Sequence, residues 1–135
     1  MKHKKELLNS IPGVGDATIN VVLSEFADID RFDTAKQLAS FIGLAPRHRL
    51  SGSSVRGRTS MSKIGNAQVR KSLFMPALVA MKYNPILIDM KSRLLKAGKP
   101  KMLIVGAAMR KLVHIIYGVL KNNQPFDPEF QVKNA

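Results

Sequence analysis

With 135 residues, 45% of them hydrophobic, the chain can bury a real core and is expected to form one domain. Its formal net charge of +13 and pI near 10.4 point to a polyanionic partner. Nucleic acid leads over an anionic membrane surface, because the basic residues are not confined to one amphipathic helix. The absence of cysteine excludes disulfide and thiolate chemistry, and the longest apolar run, Leu73 to Met81, is too short to span a bilayer. Charged Met1 to Lys5 has no apolar segment behind it and is not expected to be a signal peptide.

A first helix is expected from about Lys4 to Asn9. It is marginal alone, which suggests a chain that begins partway through a larger protein. Ser10-Ile11-Pro12-Gly13-Val14-Gly15-Asp16 follows. Pro12 ends the first helix, and Gly13 and Gly15 can take positive φ and expose successive N–H groups. Gly13, Val14 and Gly15 thus form a candidate nest for a phosphate oxygen, as in a helix-hairpin-helix motif over about residues 6–26. The alternative is a tight interhelical turn in which glycine serves geometry alone. The second helix should run from about Val14 to Glu25, with Ile19, Val22, Leu23 and Phe26 on one apolar face.

Asp28, Asp30 and Asp33 lack the third ligand and the glycine of a calcium loop, so no metal site is read there. Asp33 is instead placed to cap a third helix over about Thr34 to Ile42, closed by Gly43. A basic loop, 44–65, comes next. Asn66 should then cap a helix from Ala67 to about Tyr83. This helix is apolar nearly all round from Leu73 to Met81 and is expected to be the buried central helix, kinked at Pro76. Asn84-Pro85 breaks the chain before a helix over about Ile86 to Ala97. The last helix should run from about Lys101 to Lys121. Met102, Val105, Met109, Leu112, Ile116 and Val119 form a seam along it, favoured as bundle packing over a dimer contact. The expected fold is all-α: a helix-hairpin-helix motif followed by a helical bundle over 66–122, with the long basic loop between them. Residues 1–122 form the domain, and 123–135 a loosely ordered tail.

No Asp or Glu occurs from Thr34 to Ile88, a span that holds nine lysines and arginines. Self-repulsion strains such a stretch unless it faces a polyanion. Arg47, Arg49, Arg56 and Arg58 suit bidentate phosphate contact, and Lys63, Arg70 and Lys71 extend the basic surface. Phe41 and Phe74 are expected to be buried, so no base-stacking platform is advertised. Ser51, Ser53, Ser54, Thr59, Ser60 and Ser62 lie among the arginines. A serine can attack a phosphodiester once a base, a metal or a cationic pocket activates it. Composition does not separate that role from hydroxyls that merely bond phosphates. His48 reads as a solvated loop residue, and the scattered histidines leave no zinc site. Glu6, Asp16, Glu25 and Asp89 form no evident acid–base pair. No metal or cofactor is expected in this chain.

The order of motifs is distinctive. Ile11-Pro12-Gly13-Val14-Gly15 is followed by Phe32 and by Ala39-Ser40-Phe41-Ile42-Gly43-Leu44-Ala45-Pro46. Ser51-Gly52-Ser53, Arg56-Gly57-Arg58, Lys63-Ile64-Gly65-Asn66 and Arg70-Lys71 complete the series. Over about residues 6–122 the chain resembles the C-terminal domain of the DEDD-type insertion-sequence transposases, the group that includes the Piv-like DNA invertases. The resemblance implies that such a domain is joined to an N-terminal RuvC-like domain carrying four acidic ligands for a divalent metal (Mg). It also implies a serine nucleophile before a glycine in the arginine-rich loop; here Ser51 matches, with Ser53 and Ser54 as neighbouring alternatives. DNA, an element-encoded guide RNA and a homo-oligomer are the implied partners, in the cytoplasm at the nucleoid of a prokaryote. No four-carboxylate set occurs in these 135 residues, so recombinase activity is not expected of this chain alone. The rival reading is a non-catalytic helix-hairpin-helix DNA-binding module.

Overall fold

Apolar residues at helical spacing build six α-helices among the described residues, 2–26, 28–44 and 63–128, of a computed structural model. They are α1 Lys2–Asn9, α2 Asp16–Phe26, α3 Ala35–Ile42, α4 Lys63–Tyr83, α5 Pro85–Lys96 and α6 Lys101–Asn122, with a 3₁₀ turn at Ile29–Arg31. The fold is all-α.

The central helix is α6, not the helix that ends at Tyr83. It packs against α1, α3, α4, α5 and the 3₁₀ turn, and buries Ile104, Ala108, Leu112, Ile115, Ile116 and Val119. By length and composition α6 could cross a membrane, but 61% of its most apolar window is buried against the rest of the protein. The seam Val105, Met109, Leu112, Ile116 and Val119 is buried within the domain, while Met102 at its start is 71% exposed. The α4 helix was expected at the centre because apolar residues surround it. Among its described side chains Val69, Leu73, Ala77, Ala80 and Met81 are buried, and Leu78 packs partly buried against the core. Phe74, expected to be buried, is 39% exposed, and Met75 is 61% exposed. With Val79, Leu95 and Met102 they line an open groove of about 650 Å³.

Two caps differ from expectation. The N-cap of α3 is Thr34 rather than Asp33: its backbone is extended and its hydroxyl accepts the Gln37 N–H at 3.1 Å. Gln37 Oε1 reaches back to accept the Asp33 N–H at 2.7 Å, as a capping box does one residue further on. The α4 helix starts at Lys63, so Asn66 lies inside it. A glycine within a helix costs only about 1 kcal/mol, so Gly65 does not stop the helix from starting ahead of it. Gly43 closes α3 in the left-handed region at φ +89°, as its position predicts.

The end of α6 is tied to the segment before α3. The buried Tyr117 hydroxyl donates to the Phe32 carbonyl at 2.8 Å, and Lys121 Nζ lies 3.5 Å from Asp30 Oδ1. Residues 123–126, expected to open a loose tail, instead turn back onto the domain. Phe126 packs against the core, and its N–H donates to Ser10 Oγ at 2.8 Å. Residues 129–135 lie outside the described set.

Candidate nucleic-acid interface

The turn between α1 and α2 is built from short backbone bonds. The Ile11 N–H donates to the Leu8 carbonyl and the Val14 N–H to the Ile11 carbonyl, each at 3.1 Å. Ile11 and Val14 are buried, so the turn is nailed to the core by its apolar side chains. Gly13 sits at φ +102°, and a Cβ there would lie 2.7 Å from Ala80 Cβ and 2.8 Å from Ala80 Cα. Only glycine meets both demands, a left-handed backbone and contact with the main chain of α4. The buried Asn84 holds the same corner: its Nδ2 donates to the Pro12 carbonyl at 3.3 Å, while its Oδ1 accepts the Ile86 N–H and caps α5.

Gly13, Val14 and Gly15 were expected to act together, and they are placed differently. The Val14 N–H is committed within the turn, and Gly13 is pressed against α4. Gly15 is exposed, lies outside the positive-φ region and has open space around it. It leads directly into α2, whose first turn carries Asp16. A carboxylate there competes with a phosphate for the positive end of the helix.

Arg70 has a defined structural partner. Its Nη1 donates to the Ile42 carbonyl at 2.8 Å, satisfying the C-terminus of α3, and a Cβ on Gly43 would collide with that guanidinium. The bond ties the end of α3 to α4, the two elements between which the basic loop runs. Lys71 is exposed on α4. Lys63 is in the first turn of α4. Ser51, Arg47, Arg49, Arg56 and Arg58 lie outside the described residues. Among the described residues, no three His, Cys, Asp or Glu side chains are grouped to hold a metal.

Sequence reasoning missed a second basic cluster. Arg110, Lys111 and His114 lie within little more than one turn of α6, where Lys36 of α3 and Arg93 of α5 add their charge. Burial, then Arg93 and Arg110, push the Lys111 ammonium below its ordinary range. Burial, then Lys111, Arg110 and Lys36, push the His114 imidazole below its ordinary value. The signal was present in the sequence: Asp89 is the only carboxylate between Asp33 and Asp127.

These features sit within a known family. Residues 5–92 match the model of the transposase IS116/IS110/IS902 family. The chain belongs to that family of mobile-element transposases. It is 41% identical over 128 residues to a pilin gene-inverting protein of Moraxella bovis, covering 94% of this chain and 40% of that protein. An insertion element IS110 protein of Streptomyces coelicolor is 31% identical over 116 residues, covering 86% of this chain and 28% of its own length. A transposase for insertion sequence element IS1111A of Coxiella burnetii is 38% identical over 90 residues, covering 67% and 24%. The chain thus spans about 40% of the length of the pilin gene-inverting protein.

Proposed function

We propose that this domain binds the DNA backbone and supplies the serine nucleophile for strand exchange by a transposase of this family. The observation that carries the reading is the family match over α1 to α5, joined to a span from Thr34 to Ile88 with no acidic residue. Ser51 Oγ attacks a backbone phosphorus, the Ser51–O–P bond forms, and the displaced deoxyribose oxygen leaves with a proton. Attack by a second strand's hydroxyl on the same phosphorus forms the new backbone bond, breaks the Ser51 Oγ–P bond and returns the proton to the serine, which completes the exchange. Arg47, Arg49, Arg56 and Arg58 neutralise charge on the phosphorus oxygens as the transition state forms. Arg70 acts from the base of the loop, holding α3 to α4. The glycine hairpin contributes phosphate contact through its open side, at Gly15.

The metal chemistry belongs to a RuvC-like domain beyond this chain, and a guide RNA and a homo-oligomer complete the assembly in the cytoplasm. The test is Ser51→Ala in the recombinase that unites both domains. Loss of the covalent protein–DNA adduct with DNA binding retained supports the nucleophile. Unchanged recombination would end that assignment in favour of a non-catalytic binding module.

A further inference from the structure

We propose that Lys36, Arg110, Lys111 and His114, with Arg93 at the edge, form a second phosphodiester-backbone anchor, made of residues other than those of the hairpin and the basic loop. The inference rests on the nucleic-acid reading above and adds a site to it.

The cluster is a feature of three helices. On α6, Arg110 and His114 are one turn apart on the same face, and Lys111 lies between them. That helix buries Leu112, Val113, Ile115 and Ile116, and the partly buried Arg110, Lys111 and His114 lie on the part of its surface that the core covers least. The α3 and α5 helices both pack on α6. From them come the exposed Lys36 and Arg93. Packed helix axes lie about 8–10 Å apart, so these charges spread across the width of three helices rather than along one.

Among the described residues, the ion pair that touches this cluster is a weak one. Asp89 ion-pairs with Arg93 at 3.1 Å, but both side chains are more than 60% exposed and the pair is an intrahelical one. Such a pair contributes little. His114 Nε2 is buried with no hydrogen-bond partner among the described residues. An imidazolium there would leave a buried donor unsatisfied, so the neutral ring is favoured. Folding therefore gathers like charges that repel one another, and a strand of phosphates would relieve that cost. The ligand chemistry is a run of singly charged phosphates, as in DNA or RNA backbone.

The experiment compares the wild-type chain with Lys36→Gln/Arg110→Gln for binding to a duplex DNA oligonucleotide over a salt series. Both positions carry polar side chains away from the core, and retained helical circular dichroism verifies the fold. Each lost phosphate contact should reduce the magnitude of the log–log salt slope by about 0.9, so the double variant should lose roughly 1.8. Lys99→Gln/Lys101→Gln, at the turn between α5 and α6, is the control and should leave the slope near wild type. In parallel, NMR titration of His114 should give a higher pKa with duplex bound than without, because phosphate charge favours the imidazolium. Wild-type binding with an unchanged slope in Lys36→Gln/Arg110→Gln, an equal loss in the control, or an unmoved His114 would overturn the anchor alone. No wild-type binding at low salt would overturn the nucleic-acid reading and the anchor with it.

Discussion

The α4 and α6 helices are both long and rich in apolar residues, yet they do opposite things. The α6 helix is enclosed by α1, α3, α4 and α5, and Leu112 at its middle is fully buried. The α4 helix touches α2, α3, α5 and α6 as well, yet leaves Phe74, Met75 and Val79 exposed. Its Ala77 and Ala80 are fully buried, Ala80 against Gly13 of the turn between α1 and α2, whereas Met75 is 61% exposed on the groove. The lesson is that an apolar run tells how much surface a helix offers to burial, not how much its neighbours cover. Coverage depends on connection. Its neighbours in sequence, α3 and α5, flank α6, and α1 reaches it from the other end of the chain.

The largest expected effect separates these two helices directly. Leu112→Ala should cost about 3 kcal/mol by denaturant unfolding, while Met75→Ala should stay within about 0.5 kcal/mol. Comparable losses would break the distinction between an enclosed and a half-covered helix. Next comes the closed face of α4. Gly13→Ala forces a Cβ into the main chain at Ala80 and strains a positive φ, with an expected cost of about 2 kcal/mol. Gly15→Ala has open space and should cost under about 1 kcal/mol. Asn84→Ala removes a cap and the bond to Pro12 together, for an expected loss of about 1–2 kcal/mol.

The smallest effect concerns the polar face of α6. Folding lowers the His114 pKa from the ordinary imidazole value of about 6.5, mainly by burial and then through Lys111, Arg110 and Lys36. The unfolded chain therefore takes up its proton first as the pH falls. The contribution of neutral His114 is fully present above about pH 6.5 and is lost as the pH drops below it. Comparing denaturant midpoints at neutral and mildly acidic pH should show this decline, and His114→Gln should flatten it.

Much of the fold was legible because amphipathic spacing is local. Ile19, Val22 and Phe26 of α2 and Leu38, Ala39 and Ile42 of α3 are buried as their period requires, and Gly43 closes α3 where it should. The cap of α3 fell one residue late because Asp33 and Thr34 are both good capping residues, and only the Gln37 side chain distinguishes their positions. The hairpin was visible as a turn, but Gly13 owes its place to Ala80, a partner far along the chain that no local pattern reveals. Arg70 looked like one more cation of a basic stretch. Its bond to Ile42 is a tertiary fact, as is the approach of Lys36 on α3 to Arg110, Lys111 and His114 on α6.

The most direct test of the central claim is the salt dependence of wild-type binding to duplex DNA. A domain that grips the backbone should lose affinity with a log–log slope steeper than about −3.6, the value for four neutralised phosphates at −0.9 each. A nearly flat slope, or no binding at low salt, would contradict the claim that the charge of this domain serves a nucleic-acid backbone.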